Sequence, residues 1–169
     1  MLTREAVLEI VGSLNRDGVR FLMVGGLAVI AHGYVRATMD LDLVVDLEAE
    51  NARRAICCLS RLGYQSRVPV PLEDFADPTC RADWIANKDL VVFSLWKNST
   101  IGPIVIDLFV IEPFPFADAW RDAMWQEHAN GTRFPYVDLT RLLAMKRLAG
   151  RPKDLLDVAE LTRIAGGNS

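Results

Sequence analysis

Apolar positions along the chain follow two spacings, and the switches between them mark the elements. Leu2, Ala6, Val7, Ile10, Val11 and Leu14 recur three to four residues apart, the stripe of a helix with Thr3 as N-cap and Gly18 as stop. Phe21 to Val24 is a short apolar run that reads as a buried strand; Gly25 and Gly26 break it, and helical spacing resumes over Leu27 to Ala31. Residues 40–45 alternate acidic and apolar side chains as a strand does, and Glu48 to Leu62 reads as a helix closed by Gly63. Asp89 to Trp96 and Ile104 to Ile111 read as an antiparallel pair joined through KNST and a Gly102-Pro103 break. A short helix is expected over Ala117 to Met124, then a peripheral ribbon in which Gln126 to Ala129 and Thr132 to Tyr136 flank Asn130-Gly131. Asp138 or Thr140 opens a helix that runs to Leu148 and ends at Gly150, and Arg151-Pro152 opens a last helix to about Ile164. Pro69, Pro71 and Pro78 punctuate residues 64–88, which predicts a short strand followed by irregular chain with a helical turn or two near Cys80 to Ala86.

These elements predict one α/β domain over residues 1–169: a small mixed sheet, helices on one main side, and a helical C-terminal extension over about 138–165. Composition agrees, since 169 residues with 51% hydrophobic and 24% charged side chains suffice for a substantial core and exclude a disordered chain. The formal charge of −3 provides no global basic field, so nucleic acid could bind only at a local patch. Cys57, Cys58 and Cys80 are odd in number and lack metal spacing, which predicts reduced thiols and a cytoplasmic setting. No uncharged apolar stretch reaches the length of a membrane span, and residues 1–11 carry Arg4, Glu5 and Glu9 where a secretory leader would be apolar.

Candidate chemistry concentrates between Phe21 and Asp46. On a strand, Asp40 and Asp42 leave the same face while Leu41 and Leu43 leave the other. Neighbouring like charges are costly until a cation neutralises them, and hard oxygen ligands suit magnesium or manganese. A strand that turns through Gly25 and Gly26 onto a helix presents backbone N–H groups to an anion, so a phosphate can sit beside the carboxylates. Arg36, in the loop before them, either steers a triphosphate or pairs with Asp40 or Asp42. Asp107 interrupts the apolar strand IVIDLFV, which demands a metal, a partner such as an arginine, or water. Arg67 and Arg81 lie in the insertion, where surface loop charges are commoner than substrate contacts. The arginines Arg53, Arg54 and Arg61 read as a solvated helix face, and His32 and Tyr34 as packing at a helix end.

The series of strand, Gly25-Gly26, helix and RATMDLDLVV resembles the nucleotidyltransferase superfamily that includes polymerase beta, and within it small bacterial proteins related to abortive-infection toxins. That resemblance implies Asp40, Asp42 and Asp107 as the carboxylate trio holding Mg2+ or Mn2+, with Gly25, Gly26, Arg36 and Thr38 around the phosphates of a nucleoside triphosphate. No serine hydroxyl stands at Gly26, so contact there must come from the backbone. The segment LLAMKRLAGRPKDLLDVAEL is similar to the C-terminal signature of the abortive-infection relatives. It implies a nucleotide-phosphate role for Lys146, otherwise a solvent-facing lysine, and a part for Asp154 that Asp157 could take instead. The implied activity is transfer of a nucleoside monophosphate to a hydroxyl on an RNA end, a protein or a small molecule. The alternative is a catalytically weak member of the fold acting as an antitoxin or regulatory partner.

Overall fold

A computed structural model of the chain describes residues 2–167, and Asn51 shows how its strands are fixed. The first helix, α1 (Arg4–Arg16), is capped by Thr3, whose hydroxyl accepts from the Ala6 N–H, and Gly18 takes a positive φ of 65° beyond its end. Strand β1 (Phe21–Met23) leads into α2 (Gly25–Ala31), a loop, β2 (Asp40–Val45) and α3 (Ala49–Arg61). Asn51, buried in the first turn of α3, accepts from the Arg20 N–H and donates to the carbonyls of Arg20 and Asp46. One side-chain amide thus clamps the start of β1 to the end of β2.

The insertion is more regular than the prolines predict. After β3 (Gln65–Ser66) comes a 3-10 turn at Leu72–Ala76 and an eleven-residue helix, α4 (Pro78–Lys88), begun by the Asp77 cap with Pro78 at its first position. Phe75 and Trp84 carry this segment onto the sheet, each stacked on Phe93. Arg81 is no surface charge: it is buried, donates to the Phe75 carbonyl at 2.5 Å and lies over the Phe75 ring.

Strands β4 (Val92–Lys97) and β5 (Ile104–Phe109) form the expected antiparallel pair. After α5 (Phe116–Arg121), β6 (Met124–Glu127) and β7 (Arg133–Tyr136) make the Asn130-Gly131 hairpin. It is no peripheral ribbon, because β7 lies parallel to β1 and adds both strands to the sheet. The order is β3-β4-β5-β2-β1-β7-β6, seven strands, with β2 parallel to β5 and the remaining neighbours antiparallel apart from β1 and β7. Helices α6 (Leu139–Ala149) and α7 (Pro152–Gly166) complete the chain, divided by Gly150 at a φ of 62°.

Helices cover both faces, where the sequence predicted one main side. Alternation along the strands explains this. Phe21, Met23, Leu41, Leu43, Phe93, Leu95, Ile106 and Leu108 pack with α1, α3 and α4, whereas Leu22, Val24 and Val44 pack with α2, α5, α6 and α7. A central strand apolar on both sides needs two covers. Asn51→Ala should lower stability in urea unfolding by about 1–3 kcal/mol, since it removes the partner of part-buried backbone groups at both strand ends. A midpoint shift within error would show that water replaces the clamp.

Candidate active site

Register brings the three carboxylates together. Asp42 lies opposite Asp107 and Asp40 opposite Val105 in the parallel β2–β5 ladder. The intervening Leu41, Leu43, Ile106 and Leu108 are fully buried on the other face, so Asp40, Asp42 and Asp107 share the face covered by α2 and the C-terminal helices. Among the described residues Asp107 pairs with no arginine; the Ser94 hydroxyl donates to its Oδ1 at 2.5 Å from the neighbouring β4. Ser94 was not singled out in the sequence, although it is the polar position of an otherwise apolar FSLW run.

Asp42 carries the strain of this arrangement. Burial, and then the negative charge of Asp107, push its carboxyl from 3.8 up to about 6, against the Gly26 backbone N–H and the Lys146 ammonium, which favour ionisation. The glycines are shaped around it. Gly25, at a φ of 61°, lies so close that an added Cβ would stand 1.9 Å from Asp42 Oδ2, and at Gly26 a Cβ would stand 2.3 Å from Thr38 Oγ1. Of the two glycines, Gly25 alone takes a positive φ. The amide of Gly26 already serves the carboxylate, and α2 has no side-chain cap.

Arg36 pairs with neither Asp40 nor Asp42. Its guanidinium takes Asp157 bidentately, Nε to Oδ1 at 2.7 Å and Nη2 to Oδ2 at 2.9 Å, across 121 residues of sequence. Lys146 does not face solvent. It is 6% exposed and lies 2.7 Å from Asp154 Oδ1 and 2.9 Å from Asp157 Oδ2. Arg151 closes the chain by donating from Nε to Asp154 Oδ2 at 2.5 Å. Burial alone would raise the Asp154 carboxyl, but hydrogen bonds from Arg151 and Lys146 hold it below its ordinary value. Three cations thus enclose two buried carboxylates beside the trio, and the fields of Lys146 and Arg151 both couple to Asp42.

The donor set is all oxygen and like-charged, which fits a hard divalent cation. Among the described residues, however, no three acidic, histidine or cysteine side chains converge tightly enough to hold an ion by themselves. The fit is therefore to a cation that brings further oxygen ligands with it.

No family model and no curated protein sequence matches the chain. Solved structures do, and two of them are nucleotidyltransferases by description. The lincomycin-bound lincosamide antibiotic adenylyltransferase LnuA is similar at a TM-score of 0.60 and 17% identity, covering 96% of this chain and 98% of its own. A candidate nucleotidyltransferase from Thermotoga maritima, TM1012, is similar at a TM-score of 0.53 and 13% identity, covering 99% and 97%. The chain has the nucleotidyltransferase fold. Among the described residues no helix is long and apolar enough to cross a membrane.

The Asp42 proton has a measurable signature. A carboxyl whose pKa is raised on folding contributes stability that is full below its unfolded value of 3.8 and lost as pH climbs through about 6. In metal-free buffer, Asp42→Asn should therefore gain on the wild type as pH rises from 4 to 7, by on the order of a few kcal/mol at most. Thermal melts across that range check it, and a pH-independent difference would contradict the burial of Asp42 beside the charge of Asp107.

Proposed function

We propose that the protein transfers a nucleoside monophosphate from a nucleoside triphosphate to a hydroxyl acceptor, with Mg2+ or Mn2+ at Asp40, Asp42 and Asp107. The observation that carries this reading is the opposition of Asp42 and Asp107 on parallel strands, with the Asp42 carboxyl pushed up to about 6, on a fold shared with an adenylyltransferase. A bound divalent cation would neutralise the trio and the phosphate charge together and polarise the phosphorus under attack.

The chain's own groups supply orientation. Ser94 holds one oxygen of Asp107 and leaves the other to receive the proton of the attacking hydroxyl. The hydroxyl oxygen bonds to the α-phosphorus, the bond to the bridging oxygen breaks, and pyrophosphate leaves. Gly25 and Gly26 let the phosphates approach the backbone at the start of α2, and Thr38 places a hydroxyl at the same turn. Lys146, Arg36 and Arg151 exceed Asp154 and Asp157 by one positive charge, which favours a triphosphate beside them. Asp154, fully buried, contributes to the nucleotide site by holding Lys146 and Arg151 in place.

Isothermal calorimetry provides the test. Magnesium or manganese should bind weakly alone and more tightly with a nucleoside triphosphate, and Asp42→Asn or Asp107→Asn should abolish that synergy. Unchanged binding in both variants would remove the site. Labelled triphosphates then test transfer, and a scaffold acting as an antitoxin or regulatory partner would bind without turnover. Lys146→Ala should destabilise the fold by about 3–5 kcal/mol in urea unfolding, because it uncovers two buried carboxylates. A surface lysine would lose little.

A further inference from the structure

We propose that the shallow pocket formed by Arg67, Trp96, Asn98, Pro103 and Val105 is the acceptor subsite, and that it takes a nucleotide. Its ring stacks on Trp96 and its phosphate meets Arg67. This rests on the transfer reading above.

Strand register places the pocket beside the trio. One row across the sheet runs from Asp42 through Asp107 and Ser94 to Arg67, whose N–H donates to the Ser94 carbonyl at 3.0 Å. The adjacent row runs from Asp40 through Val105 and Trp96 to Gln65. The packing helices α2, α5, α6 and α7 cover the other half of this face: their apolar cluster takes Leu22, Val24 and Val44 but neither Trp96 nor Val105. Trp96 is half-buried and has no ring partner among the described residues, and Arg67 is exposed and makes no ion pair among them. By contrast, Arg36, Lys146 and Arg151 are all held by carboxylates.

Direction of transfer assigns the subsite. In-line displacement puts the attacking hydroxyl opposite the departing pyrophosphate. If the phosphates lie at Gly25 and Gly26, on the β1 side of the carboxylates, the acceptor approaches from the β4 side, where this pocket lies. Its volume, about 350 Å³, suits one ring system with a substituent and not a folded partner. A tryptophan face beside a guanidinium is the chemistry that holds a base and its phosphate, and Arg67 disfavours a cationic acceptor. A second cavity of about 370 Å³, lined by Leu8, Leu27, Phe134 and neighbours, lies under α1 toward the opposite face and meets the site at Thr38.

The experiment saturates the donor site of the full chain with magnesium and the non-transferable analogue α,β-methylene ATP. Binding is then read for two probes, the ribonucleoside 5′-monophosphates by calorimetry and a fluorescein-labelled octaribonucleotide with a free 3′ hydroxyl by anisotropy. At least one probe should bind, and its affinity should fall about tenfold or more in Trp96→Ala and in Arg67→Ala while affinity for the analogue changes less than twofold. Preference for the monophosphate marks a free nucleotide as acceptor, and preference for the oligonucleotide marks a strand end. Arg67→Glu, a change at an exposed side chain, should weaken the phosphate-bearing probe further and keeps the test valid if Trp96→Ala unfolds. A wild type that binds no analogue overturns the transfer reading. A wild type that binds the analogue but neither probe, or variants that bind the probe as the wild type does, overturn the acceptor subsite alone. Loss of the analogue in the Trp96 and Arg67 variants also overturns it, since the pocket would then hold the donor.

Discussion

Two carboxylates are held facing one another by strands that have nowhere else to go. Leu41, Leu43, Ile106 and Leu108, which alternate with Asp42 and Asp107, have no exposed surface. Sliding either strand by one residue would put those apolar side chains on the polar face, each at a cost of about 1.5–3 kcal/mol. Packing on one face of the sheet therefore enforces repulsion on the other. Everything proposed for the site follows from that: the raised pKa of Asp42, the place for a cation, and the rows that lead outward to Ser94 and Arg67.

A second constraint ties the ends of the chain to this centre. The loop carrying Arg36 and Thr38 is pinned by Asp157 on the last helix, and the same helix holds Lys146 through Asp154 and Asp157. The loop in turn presses Thr38 against Gly26. The C-terminal helices are thus part of the site's wall. A buried ionic network is weak evidence of stability, but it is specific about geometry, because each cation here is satisfied in one arrangement.

The sequence carried most of the fold, and the reasons differ by element. Period-two alternation located β2 and β5, and caps such as Thr3 and Asp138 and stops such as Gly150 set the helix ends. The β7 pairing was invisible because parallel partners leave no turn between them, so the hairpin read as peripheral. Prolines hid α4, whose Pro78 opens a helix instead of breaking one. Within the site, the rows of Asp40, Asp42 and Asp107 were legible from spacing and resemblance. The Asp157 partner of Arg36 was not, since local patterning carries no information about a contact 121 residues away. Ser94 could have been found by laying FSLW against VIDL, which puts one polar residue opposite the other.

Gly25 gives the site a memory in sequence. The space a side chain would need at that position is occupied by the Asp42 carboxylate itself. The glycine and the aspartate are thus two halves of one steric fact: while Asp42 is in place, position 25 admits no side chain. Shortening Asp42 would remove the two nearest contacts, yet its Cβ would still stand 2.9 Å from a Cβ at position 25, and the positive φ of 61° would remain. A shortened position 42 beside a retained Gly25 would then mark lineages in which the fold outlived its chemistry.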